Sequence, residues 1–204
     1  MEFTWDESRE AFEAAAQWFV ATAAEVGDRW EAPGLGEWDV RALVGHLSRS
    51  FVTVETYLAK PVDHVEVESA RLYYAATRSI AAGPGVAQRG RDAGQALGDD
   101  PAAAVAQLAA RVVPLVRSCT GDELMTTIAG GMRLRDYLPT RTFELVVHTC
   151  DLSVALGTPL AVPPSSASHA LHLVTELLID DAHSGEVLLA LTGRRPLPAG
   201  FSVM

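Results

Sequence analysis

A chain of 204 residues with 49% hydrophobic content can bury one sizeable core, and that length fits a single domain over residues 1–204 better than two. A net charge of −10 without any basic stripe argues against nucleic acid as a partner, because phosphate binding depends on clustered positive charge. The opening residues MEFTWDESRE are acidic, and every apolar run is interrupted well short of a membrane span, so neither a signal peptide nor a membrane segment is expected and the expected location is cytoplasmic.

Thr4, with Glu7 three residues on, reads as a capping box that opens a first helix. Trp5, Phe12 and Phe19, with Ala16 and Ala23 between them, give that helix an apolar stripe suited to a bundle interior. Gly27 to Glu37, broken by Pro33, Gly34 and Gly36, reads as a loop. Asp39 is the expected N-cap of a second helix that runs to about Ala59 and ends before Pro61, with Val40, Leu43, Val44, Leu47, Phe51, Val54 and Leu58 as its apolar face. Residues 62–98 mix polar and glycine-rich turns with two shorter helices, expected over roughly Ser69–Ala82 and Gly85–Leu97. Asp100-Pro101 starts a helix through about Ser118, which Pro114 is expected to kink. Met125 to Leu134 places Gly130-Gly131 between two short apolar runs and predicts a small hairpin. A helix over Arg135–Leu156 is ended by Gly157 and Pro159, and after Pro163-Pro164 the last long helix spans Ser165–Asp181. The tail over residues 185–204 is too short for a second domain. Helical periodicity dominates and strand alternation is nearly absent, which predicts an all-α fold with one small β-hairpin.

Arg141, Glu144, His148 and Asp151 stand three, four and three residues apart, so they run down one line of their helix. Thr142, Thr149 and Ser153 lie opposite that line and read as the solvent face, with Leu145, Val147, Leu152 and Val154 flanking, so the charges are expected to point inward. Buried charges are costly unless they pair with one another or with a metal, and this helix alone accommodates either an ion network or a metal site. His169, His172 and Glu176 form a rival line on the last helix, but it lies nearly opposite the apolar side formed by Ala170, Leu171, Val174, Leu177 and Leu178 and is expected to be solvated. His46 stands at the edge of the second helix's apolar stripe, where an imidazole serves as a boundary side chain or a ligand. His64 and His183 have no partner at ligand spacing. Cys119 and Cys150 are too few for a disulfide framework and read as reduced packing residues, Cys150 pointing about 200° away from His148 around the helix.

The segment Glu37-Trp38-Asp39-Val40-Arg41-Ala42-Leu43-Val44-Gly45-His46-Leu47 resembles the W-(S/T)-V-R-D-L-V-A-H-L helix of the DinB-like superfamily. Arg141 to Leu152 resembles its R-x-x-E-x-x-x-H-x-x-D-L helix, in the same order and at a fitting separation. The chain is similar to the mycothiol-dependent maleylpyruvate isomerase family, and its closing Leu191-Thr192-Gly193-Arg194 with Pro196-Leu197-Pro198 resembles the tail of many members. The resemblance implies a DinB-like four-helix bundle that binds a divalent metal through His46, Glu144 and His148. Three protein ligands with one open position suit catalytic zinc, while nickel and iron accept the same ligand set. His46 Nε2, His148 Nε2 and a Glu144 oxygen are then expected within about 4 Å of one another in the absence of an ion.

The maleylpyruvate isomerase itself is expected to carry an additional carboxy-terminal domain that contributes to the active site, and no such domain is expected within these 204 residues. The expectation is therefore the shared chemistry: a metal-dependent enzyme that activates a small-molecule thiol, mycothiol, for transfer to or isomerisation of a small electrophile. Arg141 and Asp151 are the candidate catalytic residues beside the metal. Arg141 is placed to meet the thiol cofactor's polar groups, a substrate carboxylate or Glu144. Asp151 is placed to orient the His148 imidazole or to serve as a structural ion-pair partner. The opposing class is a non-catalytic metal-binding stress-response or scaffold protein, with a homodimer as one form it can take.

Overall fold

The capping box at the amino terminus is formed: Glu7 N–H donates to Thr4 Oγ1 at 3.3 Å and Thr4 N–H donates to Glu7 Oε2 at 2.7 Å, starting α1 (Trp5–Ala24). The structure, a computed structural model, describes residues 3–81 and 85–203. Asp39 caps α2 (Val40–Leu58) by accepting from Ala42 N–H at 2.7 Å. The shorter helices α3 (Ala70–Ala81) and α4 (Val86–Ala96) follow; Ala82, the expected end of the former, lies outside the described residues. Asp100 caps α5 (Pro101–Ser118) in the same way, accepting from Ala103 N–H at 3.0 Å. The chain then forms α6 (Leu134–Leu156), α7 (Pro164–Asp180) and α8 (Ser184–Leu191), the last an unanticipated helix within the tail.

Four helices close a ring in which α1 packs on α5, α5 on α2, α2 on α6 and α6 on α1. This is the all-α bundle the resemblance implies. Phe12, Phe19, Leu43, Leu47, Phe51 and Leu145 are fully buried inside it, and burial of each such side chain stabilises by about 1.5–3 kcal/mol. Outside the ring, α7 covers α1 and α6, α3 lies on α6, and α4 lies along α2. The α2–α4 approach requires glycine, since a Cβ on Gly45 would stand 2.1 Å from the Gly94 nitrogen. Arg29 ties two helix ends together by donating to the carbonyls of Leu156 at 2.9 Å and Glu25 at 2.6 Å.

Three expectations need correction. The stretch read as a loop holds a 3₁₀ turn (Arg29–Glu31) and a hairpin of β1 (Pro33–Leu35) with β2 (Trp38–Asp39), strands too short to show alternation. The expected hairpin exists as β3 (Leu124–Thr127) with β4 (Gly130–Arg133), but Ile128 and Ala129 make its turn and the glycines lie inside β4. Gly131 is needed there for close approach: its N–H donates to Glu66 Oε2 at 2.7 Å, and a Cβ would meet the His64 carbonyl oxygen at 2.4 Å. On α6, Thr142, Thr149 and Ser153 are buried rather than facing solvent, while Val147 and Val154 are exposed. The helix packs against α1, α2, α3 and α7, so nearly all of its circumference is covered, and its small hydroxyl side chains belong to the covered part.

Candidate metal centre

Because α2 and α6 lie side by side, the edge position His46 faces the charged line of α6. His46 Nε2 stands 3.6 Å from Glu144 Oε2, and His148 Nε2 stands 3.4 Å from the same oxygen. The two imidazoles meet edge to face with ring centroids 4.8 Å apart. All three donor atoms lie within 4.8 Å of one another, a looser triangle than the about 4 Å expected, with the slack between the imidazoles. Bonds of about 2.0–2.2 Å to a tetrahedral ion put neighbouring donors roughly 3.4 Å apart, which the two Glu144 sides match. A neutral His46 can donate to the Glu144 oxygen from Nε2–H, but His148 already faces Asp151 through Nδ1, so its Nε2 meets the Glu144 carboxylate favourably only with a second proton or with a metal ion between them. The donor set therefore fits a divalent metal.

Each donor is held from behind. Asp151 Oδ2 lies 2.9 Å from His148 Nδ1; a carboxylate only accepts, so Nδ1 carries the hydrogen and Nε2 is turned to the cluster. Tyr74, on α3, donates its hydroxyl to Glu144 Oε1 at 2.7 Å. The Trp38 indole covers His46 with ring centroids 4.7 Å apart, and its Nε1–H donates to the Ala87 carbonyl at 2.9 Å. Arg141 is buried, but among the described residues it closes no ion pair with Glu144. Its guanidinium instead lies over the rings of Tyr137 at 4.9 Å and Tyr73 at 5.7 Å, and its Nε–H donates to Thr140 Oγ1 at 3.0 Å. Tyr74 and Trp38 had no assigned role in the sequence reading. Trp38 stood in the quoted motif next to the N-cap, whereas nothing in the spacing of Tyr74 links it to Glu144, two helices and a hairpin away.

Burial alone would raise the Glu144 pKa, but the contacts with His148 and His46, helped by the Arg141 charge, hold it well below the usual carboxylate range. Burial likewise opposes charge on His148, yet the bonds to Asp151 and Glu144 prevail and push its pKa up to about 9. His46 is pushed down by burial, with Glu144 offsetting only part of that effect. Without a metal, the positive charge of the cluster is thus a proton on His148. Burial, and then the Glu144 charge, raise the Tyr74 phenol well above its ordinary value, so it stays a donor.

Residues 8–153 match the family model of the mycothiol maleylpyruvate isomerase N-terminal domain. The chain belongs to this family. The match takes in α2 and the part of α6 that carries Arg141 through Asp151. Membership links the chain to mycothiol-dependent isomerases and to DinB-like metal-binding proteins. No curated protein and no solved structure matches it.

The remaining histidines of this family member are placed differently. His169, expected in solvent, is buried: its ring stacks on Phe3 with centroids 3.6 Å apart, and its Nδ1–H donates to the Ser165 carbonyl at 3.0 Å. The residues ahead of α1 fold across α7, a contact that the face of α7 read in isolation does not reveal. Leu171, assigned to the apolar side, is exposed, and Leu173 takes the buried place. His172, also expected in solvent, is half-buried: its ring meets Phe3 edge-on with centroids 5.4 Å apart, and it stands 3.7 Å from Glu176. His64 pairs with Asp63 at 2.6 Å and His183 with Glu186 at 3.3 Å, both at the surface. Cys119 and Cys150 form no disulfide, Cys119 Sγ–H donates to the Leu115 carbonyl at 3.3 Å, and burial pushes both thiols up. Among the described residues, no helix is long and apolar enough to cross a membrane.

Proposed function

We propose that this protein is a metal-dependent, thiol-activating enzyme of the cytoplasm that uses mycothiol to transfer to, or isomerise, a small electrophile. The observation that carries the reading is the meeting of His46, Glu144 and His148, from two helices, on one shared carboxylate oxygen. A bound zinc ion, with nickel and iron as alternatives, would lower the pKa of a thiol and hold the thiolate as nucleophile. Asp151 fixes the tautomer that presents His148 Nε2 to the ion. Arg141, one turn before Glu144, supplies a fixed positive charge that favours an anionic thiolate or a carboxylate on the electrophile. Because burial disfavours the thiolate form of both Cys119 and Cys150, a thiol brought in from solution is the better nucleophile.

The test incubates zinc-loaded protein with mycothiol and a panel of small electrophiles and follows loss of free thiol. Consumption that requires zinc and disappears in His148→Ala is expected. Stoichiometric zinc without turnover on any electrophile would contradict the enzymatic reading and favour a non-catalytic metal-binding sensor or scaffold.

A further inference from the structure

A carboxylate can meet a metal through one oxygen or chelate it through both, and the choice decides how many positions remain for substrate. In this protein the two Glu144 oxygens have separate surroundings. Oε2 stands between the two imidazole nitrogens, at 3.4 and 3.6 Å, whereas Oε1 accepts the Tyr74 hydroxyl at 2.7 Å. We propose that Tyr74 is a positioning residue that holds Glu144 to a single metal-facing oxygen and thereby keeps a coordination position free for the incoming thiol. The inference rests on the metal-centre reading above.

Tyr74 is well suited to this task. A carboxylate only accepts, so the phenol is the donor. It has one hydrogen, and its other neighbour, the Thr140 carbonyl, is farther away at 3.4 Å. The ring itself is buried and held edge-on by Phe143, at 5.6 Å between centroids, and by Tyr73, at 5.8 Å, so the hydroxyl does not follow the carboxylate if it rotates. Chelation would require Oε1 to give up this hydrogen bond or to share its lone pairs between the phenol and the ion. Asp151 acts on His148 in the same manner, fixing which atom faces the centre while touching neither ion nor substrate.

A purely structural Tyr74, which merely satisfies a buried carboxylate, makes a different prediction: its loss would shift the melting of metal-free and loaded protein alike and leave the ligand set untouched. Wild type and Tyr74→Phe are therefore loaded with cobalt(II), whose visible absorption weakens as the coordination number rises, and titrated with 2-mercaptoethanol. The sulfur-to-cobalt charge-transfer band reads thiol binding. Tyr74→Phe is expected to bind cobalt about 10- to 100-fold more weakly, with a weaker visible band and a roughly tenfold lower affinity for the thiol. X-ray absorption of the zinc-loaded proteins is expected to show the short metal–carbon distance of a chelating carboxylate in the variant and not in wild type. Identical cobalt spectra and thiol affinities in the two proteins would overturn the proposal, as would chelation already present in wild type. If wild type takes up no cobalt, the metal reading fails and takes this inference with it, an outcome distinct from the previous two. Tyr74→Met, which keeps an apolar side chain and lacks the donor, carries the same comparison if Tyr74→Phe does not fold.

Discussion

Glu144 and His148 on α6, and His172 and Glu176 on α7, are both carboxylate–imidazole pairs four residues apart, and each pair is within ion-pair reach, at 3.4 and 3.7 Å. Only the first can become a centre. His46 arrives opposite it from α2, Asp151 fixes one imidazole, and the side chains are 18–19% exposed, whereas the α7 pair is 37–43% exposed and its neighbour His169 is committed to Phe3 and to the backbone of its own helix. Spacing along one helix puts ligand atoms on a line. A third donor from another element, together with partial desolvation, turns the line into a site.

The sharpest way to break this comparison is to remove the shared carboxylate. Glu144→Ala should abolish tight zinc binding, read by metal analysis after desalting, because its Oε2 is the atom both imidazoles address. The fold should survive. Arg141 rests on tyrosine rings and closes no ion pair with Glu144, so the variant should melt close to metal-free wild type. A melt far below that of metal-free wild type would mark the line as a structural ion network, for which loss of one partner costs about 3–5 kcal/mol. Asp151→Asn should have a smaller effect, weakening zinc by about 10- to 100-fold in a competition titration, since it changes the orientation of His148 and leaves every ligand in place.

Proton competition gives a third test. The His148 pKa lies above its ordinary 6.5, at about 9, so its contribution to the stability of the metal-free protein is fully present below about pH 6.5 and is lost as pH rises through about 9. Zinc must displace that proton. Its affinity should climb about tenfold per pH unit toward pH 9 and then level off, which titrations at a series of pH values would show. A flat profile across that window would mean that His148 is not the protonated member. The smallest effect on metal should come from the rival region. His169→Ala with His172→Ala should leave zinc stoichiometry unchanged while lowering stability by about 1 kcal/mol through the lost stacking on Phe3; lost zinc would show that the two regions had been ranked wrongly.

Much of the fold was legible because its signals are local. Thr4, Asp39 and Asp100 each cap the helix that directly follows them, and Gly157 ends α6 in the left-handed conformation at φ +69°. Packing between distant elements was not legible. The hydroxyl side of α6 looked solvated because polarity was read from one helix, while burial came from the helices that surround it. His169 was misplaced for the same reason, and β1 and β2 were too short to carry a period. At the site, Glu144, His148 and Asp151 share one helix and declare themselves by spacing, and His46 became distinctive only within the Trp38–His46 motif. Tyr74 reaches Glu144 through the packing of α3 on α6, which leaves no mark on the spacing of either.

The central claim is that a residue from α2 completes the centre begun on α6, and zinc titration of wild type beside His46→Ala tests it most directly. One zinc per chain is expected in wild type. In His46→Ala, which leaves Glu144, His148 and Asp151 in place, tight binding should be lost. Zinc bound equally well by both proteins, or by neither, would contradict the account.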